Sequence, residues 1–428
     1  MASFWIILAA FTTTLMLYWR NVIIDLSNNA LLTFTIKPAN DTLGFGAIYA
    51  VSAVGSPRLK GLLENANVTR LEIRVSRIPD RTQEELDFFR DDDHPDKSTI
   101  SDGSVRAWLS HIAVLKEFLE SNAETALVIE DDVDWDIRLK NIQIPSTAAA
   151  HRSLLHSFDG SYWVSTQDWD LVYLLHCGDY FTTMDDMHIG TGILHPSDLK
   201  EIPHMLYRDG TLPDSTDIHS FTASFLNAVN VPAKTRLMYE SRWPLCSFGY
   251  AVTCHAAHRL LHELAAPFEV PGKWTTAYDI ALLEACRDKS LRCFSVTPEL
   301  FHHVEGTSLI DGEPKDQEGR PPADRVAVQQ IYYRNETSNI GCGFWSGDFS
   351  WNGNLERLAF LQEEVGRRGR CLKPGRREDG SYLDRPGGGY RKQSQIIEGK
   401  PKRKHENKKS VQHTRPHLKS RHQQHHFV

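Results

Sequence analysis

An apolar run ends in three consecutive acidic residues in the segment TALVIEDDV, which spans Thr125–Val133. A short apolar run of this kind is consistent with a buried strand. In open α/β sheets, ligands bind just beyond the carboxyl ends of the strands. The segment therefore predicts a buried strand that presents Glu130, Asp131 and Asp132 at the ligand-binding edge of a sheet.

The chain around this segment alternates between strand-like and helix-like patterns. Apolar residues recur at i, i+3 and i+4 spacing from Val105 to Leu119, which predicts an amphipathic helix directly before the strand. The other strand candidates are 47–51, 71–75, 169–175, 247–253 and 292–296, and the other helix candidates are 58–65, 255–264 and 276–286. This alternation predicts an α/β domain with a largely parallel sheet over residues 45–310.

The acidic triplet indicates a cation site. Adjacent carboxylates repel one another unless a cation lies among them, and carboxylate oxygens suit Mg²⁺ and Mn²⁺. An ion held by one or two carboxylates completes its shell with phosphate and water, so it can hold a nucleotide diphosphate and stabilise it as a leaving group. The alternative is that these residues only begin a loop or cap a helix, as Asp often does.

Two motifs carry a family resemblance. The sequence Leu-Ser-His at 109–111 and the sequence Glu-Asp-Asp-Val at 130–133 match, position for position, a pattern of helix, apolar strand and acidic end. In this the chain resembles glycosyltransferase family 25, the family of lipooligosaccharide galactosyltransferases and collagen β-galactosyltransferases. Segments at 249–261, 277–283 and 297–301 are similar to later family segments and occur in the same order.

The resemblance covers about residues 46–305, with two departures. Family members commonly have Gly-Cys before Ala-Leu-Ser-His, where this chain has Arg106-Ala107-Trp108. The family's N-terminal Asn-Leu and Arg pattern is reduced to Ala50-Val51-Ser52 and Arg58. We therefore expect a divergent member of a eukaryotic type.

The resemblance implies a Rossmann-like, A-type glycosyltransferase fold and a reaction. The reaction would move a hexose, galactose first, with inversion from a UDP-sugar donor to a glycan or glycoprotein acceptor, assisted by Mn²⁺ or Mg²⁺. The alternative is an inactive protein of the same fold that only binds a carbohydrate or nucleotide.

The expected roles fall on residues of the matched segments and on Arg58. Asp132 would be the main metal ligand and Asp134 an alternate one. The donor-binding residues would be Arg58 at the phosphates, Glu130 near the ribose and Asp131 near the sugar, together with Ser110 and His111. For Arg58 the competing interpretation is a solvated surface residue, and for His111 it is a structural histidine with satisfied hydrogen bonds.

Inversion requires a general base for the acceptor hydroxyl. Asp279 is the first candidate and Glu284 the second, both on the predicted helix 276–286. The competing interpretation of Asp279 is an acidic residue at a helix N-terminus that interacts favourably with the helix dipole.

The N-terminus carries an uncharged apolar run, Phe4–Trp19, followed by Arg20. Its length is marginal for a membrane span. We expect a signal anchor or signal peptide at 1–20, a stem at 21–44, the catalytic domain at 45–310 and a C-terminal extension at 311–390. This organisation predicts a single-pass type II protein of the Golgi or endoplasmic reticulum lumen, with secretion as the alternative.

Glycosylation sequences and cysteines agree with a lumenal body. Asn-x-Thr acceptor patterns begin at Asn40, Asn67 and Asn335. The chain has seven cysteines, which could form disulfides in an oxidising lumen. Their connectivity cannot be deduced from the sequence, and scattered buried thiols are the alternative.

The charge is divided unevenly along the chain. Residues 391–428 carry 11 Lys and Arg against 2 Asp and Glu, a charge of +9, whereas the other 390 residues carry −16. Such a tail is typical of a disordered, solvated end or of an interaction segment. A nucleic-acid-associated protein is the second alternative function, but the tail lacks interleaved aromatic residues and we expect no nucleic-acid partner.

Overall fold

The computed structural model describes residues 37–90, 98–157, 159–179, 199–200, 202–270, 275–288, 291–304 and 336–383. The strands are β1 (Ala47–Val51), β2 (Ile73–Val75), β3 (Thr125–Glu130), β4 (Val133–Trp135), β5 (Leu171–Tyr173), β6 (His204–Arg208), β7 (Thr235–Glu240), β8 (Gly249–Thr253), β9 (Cys293–Thr297) and β10 (Phe301–His303). The helices are α1 (Leu59–Thr69), α2 (Gln83–Phe89), α3 (Asp102–Glu120), α4 (Ile144–Leu154), α5 (Ser220–Ala228), α6 (Cys254–Arg259), α7 (Tyr278–Arg287) and α8 (Leu355–Leu361). A 3₁₀ turn spans Ser215–Asp217, and π-helical turns span Leu139–Gln143, Leu260–Leu264 and Gln362–Arg367.

The predicted α/β class is confirmed, but the sheet is mixed. Among the described residues, eight strands form one sheet in the order β2-β1-β3-β8-β5-β9-β7-β6, and β10 pairs with β4 separately. β1 is parallel to β2 and β3, and β5 is parallel to β9. β7 and β8 are antiparallel to their neighbours, so the prediction of a largely parallel sheet is wrong in this respect.

The reversed direction of β8 shapes the edge where β3 ends. Ile129 pairs with Gly249, so the first residue of β8 lies beside the last residue before the acidic triplet. The loop that precedes β8 therefore meets the loops that follow β1 and β3. These three loops form the edge at which the candidate site lies.

Alternation along β3 divides its side chains between two hydrophobic cores. Leu127 and Ile129 belong to one buried cluster, whereas Ala126 and Val128 belong to the other. Successive side chains of a strand point to opposite faces, so both faces of this strand are covered. Burial on both sides explains why the strand is apolar at all four positions from Ala126 to Ile129.

Helix α3 confirms the predicted amphipathic segment. Ser101 caps it by accepting a hydrogen bond from the Ser104 backbone N–H, an arrangement that stabilises helix N-termini. Its buried face includes Trp108 and Ile112, and the indole of Trp108 donates to the Ala265 carbonyl at 3.2 Å. The helix is thereby fixed against the second core, with His111 on its buried side.

The described part of the C-terminal region packs on the core that contains Leu127 and Ile129. Phe344 and Val365 belong to the cluster that contains Trp135, and the ring of Phe344 lies 5.6 Å from that of Trp135. The described residues up to Leu383 form one compact unit. The predicted boundary at residue 310 stays a prediction.

Three disulfides join Cys177 to Cys246, Cys286 to Cys293 and Cys342 to Cys371. Cys254 is a free cysteine. Three disulfides are typical of an oxidising compartment, as the lumenal interpretation expects.

Two predicted segments fall outside the described residues. These are the anchor or signal peptide at 1–20 and the basic tail at 391–428. Within the described ranges, no helix combines the length and the apolar character that a membrane crossing requires.

Candidate active site

Arg58 bridges two carboxylates of the acidic triplet. Its Nε lies 3.1 Å from Oδ1 of Asp131, and its Nη1 lies 3.1 Å from Oδ2 of Asp132. Arg58 immediately precedes α1, in the connection that follows β1, and the carboxylates follow the parallel neighbour β3. Two parallel strands that end on the same side of the sheet therefore bring an arginine and two carboxylates together, whereas the contact of Arg58 with donor phosphates stays a prediction.

The carboxylate of Asp131 is buried and fully engaged. Ser52 donates its hydroxyl to Oδ2 at 2.7 Å, while Arg58 holds Oδ1. Ser52 directly follows β1 and is not among the site residues predicted from the sequence. The rule that parallel strands end at one edge would have indicated it, because β1 and β3 are neighbours.

Asp132 is the carboxylate with spare acceptor capacity. Its Oδ1 is buried and accepts no hydrogen bond from the described residues. Burial, with the nearby negative charges of Glu130 and Asp131, raises the pKa of Asp132 from its ordinary value to about 7, against the opposing charge of Arg58. A cation placed at this oxygen would favour the ionised form.

Glu130 belongs to a separate hydrogen-bonded group. Its Oε1 lies 3.3 Å from Nε2 of His111 and accepts the Ser247 hydroxyl at 3.3 Å. The other ring nitrogen of His111 lies 3.3 Å from the Tyr250 hydroxyl, and the ring stacks on Tyr278 at 4.6 Å. His111 is thus a buried residue that orients Glu130, which is the structural interpretation left open by the sequence.

Ser110 does not take part in this group. Its hydroxyl donates to the Arg106 carbonyl one helical turn back, at 2.6 Å. The donor-binding role of Ser110 stays a prediction, and this hydrogen bond gives it no support.

Asp134 faces the C-terminal segment. Its carboxylate accepts the Thr337 hydroxyl at 2.6 Å and the backbone N–H groups of Trp135, Phe344 and Trp345 at 2.8, 2.9 and 3.2 Å. Burial raises the pKa of Asp134, although these donors oppose the shift. A Cβ atom at Gly343 would lie 2.4 Å from its Oδ2, so the segment approaches Asp134 too closely for a side chain.

With both oxygens of Asp134 occupied by these donors, the geometry gives no support to its predicted role as an alternate metal ligand. That role would require Thr337 and the backbone of 344–345 to release the carboxylate. Thr337 and Phe344 lie 203 and 210 positions further along the chain than Asp134, so no local sequence pattern indicates these contacts.

Asp279 approaches the site from the first turn of α7. Its Oδ1 accepts the Ile280 backbone N–H at 2.9 Å. Burial raises the pKa of Asp279 and the negative charge of Glu130 adds to the shift, while the N–H groups of Ile280 and Cys246 lower it. Tyr278, the residue before Asp279, stacks on His111, and His111 lies 3.3 Å from Glu130, so α7 begins beside the group around Glu130.

Glu284 lies on a different side of α7. Five residues in an α-helix correspond to a rotation of about 140° beyond one full turn. Glu284 is buried and accepts the Thr275 hydroxyl at 3.0 Å. Glu284 therefore has a separate environment, and the predicted roles of Asp279 and Glu284 as general bases stay predictions.

The disulfide between Cys177 and Cys246 borders the site. Beside it, the Leu245 N–H donates to the Gly178 carbonyl and the Cys177 N–H donates to the Leu245 carbonyl, both at 3.0 Å. The next two residues serve the site directly, since Ser247 donates to Glu130 and the Phe248 carbonyl accepts the Glu130 N–H at 2.9 Å. The disulfide thus fastens the loop that contacts both Glu130 and Asp279.

The predicted role of Asp132 as a ligand of a divalent cation stays a prediction. The described residues contain no group of three or more His, Cys, Asp and Glu side chains arranged to hold a metal. Mg²⁺ and Mn²⁺ do not need such a group when phosphate and water complete the shell. Asp131 and Asp132 already hold a cation, the guanidinium of Arg58, and Oδ1 of Asp132 has no hydrogen bond from the described residues.

Comparison with known proteins gives one partial likeness. No family model matches the chain. The chain is similar to procollagen galactosyltransferase 1-B of Xenopus laevis, with 28% identity over 113 residues. The match covers 26% of this chain and 15% of that protein's length, so the likeness is distant and partial.

Proposed function

We propose that the protein is a glycosyltransferase that moves a hexose, galactose first, from a UDP-sugar to a hydroxyl of a glycan or glycoprotein, with inversion. The observation that carries the proposal is the pair Asp131 and Asp132, bridged by Arg58 at the carboxyl edge of β3. The partial likeness to a galactosyltransferase supports the same reaction class. Glu130, which contacts His111, and Asp279, at the start of α7, would complete the site.

The donor's diphosphate would lie at the Arg58 end of the site. Asp132, with Asp131 beside it, would hold Mn²⁺ or Mg²⁺, which supplies charge neutralisation at the departing diphosphate. Arg58 can add hydrogen bonds to phosphate oxygens, because a guanidinium matches their geometry. Glu130, fixed by His111 and Ser247, would then accept hydrogen bonds from ribose hydroxyls.

Asp279 would act at the acceptor. The acceptor hydroxyl oxygen forms a bond to the anomeric carbon as the bond from that carbon to the diphosphate breaks, and the hydroxyl proton passes to the Asp279 carboxylate. Burial raises the pKa of Asp279 above its ordinary value, which makes the carboxylate a stronger base. One inversion at the anomeric carbon follows from this single displacement.

A donor screen tests the proposal. The full-length chain is incubated with each UDP-hexose and a panel of glycan and glycoprotein acceptors, with Mn²⁺ or with EDTA, and released UDP is measured. We expect release with at least one donor, loss of release in EDTA and in Asp132→Asn, and retention in Asp80→Asn. Asp80 is an exposed acidic residue outside the site. UDP binding without release from any donor would instead identify an inactive nucleotide-binding protein.

The proposed compartment is the Golgi or endoplasmic reticulum lumen, with the segment at 1–20 as the anchor. The three disulfides support an oxidising environment. Fractionation of cells, with and without glycosidase treatment of the product, tests this placement. A glycosidase-sensitive protein in secretory membranes agrees with it, and a nuclear, glycosidase-resistant protein contradicts it.

A further inference from the structure

Arg58 contacts the same two carboxylates that are proposed to hold the metal ion. Its guanidinium contacts Asp131 through Nε and Asp132 through Nη1, both at 3.1 Å. The two carboxylates thus already have one positive charge between them. A divalent ion that entered beside Asp132 would add two more charges within the same small space.

The contact between Arg58 and the carboxylates can be given up. The Arg58 side chain is 31% exposed and that of Asp132 is 20% exposed, so the guanidinium lies at the open side of the pair. Asp131 would keep the Ser52 hydroxyl at 2.7 Å after Arg58 leaves. The Asp131 carboxylate is therefore held in place without the arginine.

Resting on the proposed function, we infer that Arg58 is a placeholder cation, which a divalent ion displaces from Asp131 and Asp132 and which then pairs with the donor diphosphate. In the absence of nucleotide, the ion must compete with Arg58 for the carboxylates. When a diphosphate is present, the displaced guanidinium gains a new partner. Metal and diphosphate therefore bind with positive cooperativity, and each raises the affinity for the other by the same factor.

The test measures Mn²⁺ binding by the full-length chain from the electron paramagnetic resonance signal of the free ion, with and without UDP as the probe. We expect UDP to tighten Mn²⁺ binding to the wild-type chain at least tenfold. In Arg58→Gln, Mn²⁺ alone should bind at least threefold more tightly, because the competing cation is gone. The enhancement by UDP should then shrink to less than threefold.

Lys60→Gln is the matched control for net charge. Lys60 lies two residues further on, in the first turn of α1, with a side chain that is 81% exposed and 3.9 Å from Glu64. This variant should bind Mn²⁺ as the wild-type chain does. Arg58→Lys keeps the charge but replaces the planar two-nitrogen fork with a single nitrogen, so it should hold the two carboxylates less firmly. If the glutamine variant does not fold, the lysine variant should still bind Mn²⁺ more tightly than the wild-type chain.

Two results would overturn the inference, and only the second of them would also overturn the proposed function. If UDP enhances Mn²⁺ binding equally in the wild-type chain and in Arg58→Gln, the placeholder role is wrong and the proposed function stands. If the wild-type chain binds no Mn²⁺ even with UDP, both the placeholder role and the metal-assisted function fail.

Discussion

Nε2 of His111 lies 3.3 Å from Oε1 of Glu130, which joins the middle of helix α3 to the last residue of strand β3. The imidazole is buried, and its other nitrogen faces the Tyr250 hydroxyl at 3.3 Å. The helix therefore controls where the Glu130 carboxylate points. Ser110 and His111 are adjacent in sequence, and both are predicted to bind the donor. Only His111 contacts Glu130 among the described residues, whereas the Ser110 hydroxyl donates to the Arg106 carbonyl.

His111→Phe should weaken donor binding, because the ring can still stack on Tyr278 but no longer holds Glu130. We expect the dissociation constant for UDP to rise about tenfold, which corresponds to about 1.4 kcal/mol. Ser110→Ala is the control, since the Ser110 hydroxyl contacts only the Arg106 carbonyl among the described residues. Calorimetry with UDP and Mn²⁺ measures both, and equal losses in the two variants would contradict the assignment.

Asp134→Ala should lower the free energy of unfolding without a specific effect on metal binding. The substitution removes the acceptor of four hydrogen bonds, and a buried donor that is left unsatisfied costs about 1–3 kcal/mol. Urea denaturation should show a loss of several kcal/mol. Asp132→Asn should behave in the opposite way, with little loss of stability and at least tenfold weaker Mn²⁺ binding in the presence of UDP. Weak Mn²⁺ binding by folded Asp134→Ala would restore Asp134 as a metal ligand.

Removal of the disulfide between Cys177 and Cys246 should loosen the site. The pair closes a loop with a sequence separation of 69, for which the chain-entropy relation gives about 4 kcal/mol. We expect the double variant to Ser to lose stability and to bind UDP more weakly, because Ser247 then holds Glu130 less firmly. The control opens the disulfide between Cys342 and Cys371, which should lower the melting temperature and leave UDP affinity unchanged in the folded fraction. Unchanged UDP affinity in both pairs would contradict the bracing role.

The free energy of unfolding should fall as the pH rises from about 4 to about 7, partly because Asp132 loses its proton in the folded protein. Its pKa is raised to about 7 in the folded protein from an ordinary value of 3.8, so the folded state binds the proton more tightly than the unfolded state. The stabilisation is complete below the pKa of Asp132 in the unfolded state and is lost as the pH rises through its pKa in the folded state. The loss is at most about 1.4 kcal/mol per pH unit. In metal-free buffer, Asp132→Asn should flatten the urea-denaturation profile over this window and Asp80→Asn should not. An unchanged profile in Asp132→Asn would contradict the shift.

The position of the acidic triplet was predictable because the apolar run and the strand-edge rule are both local. Helix α3 was predictable for the same reason, since its period is visible from Val105 to Leu119. The direction of β8 was not, because it depends on how the chain between 133 and 248 returns to the sheet. The burial of Asp134 against Thr337 likewise depends on a segment far along the chain.

Disulfide connectivity shows the same limit. Cys286 and Cys293 are close in sequence and are joined, as are Cys342 and Cys371, but Cys246 pairs with the distant Cys177 and leaves Cys254 free. The return path of the chain from β5 to β8 decides this pairing. Sequence proximity carries no information about it.

The most direct test of the proposed reaction compares turnover and donor binding in Asp279→Asn. The amide keeps the size of the side chain but cannot accept the acceptor proton at neutral pH. With the donor and acceptor identified by the screen, we predict a turnover at least about a hundredfold below the wild type, with UDP affinity within threefold, while Glu284→Gln keeps most of its turnover. Wild-type turnover in a folded Asp279→Asn variant would contradict the account of the site.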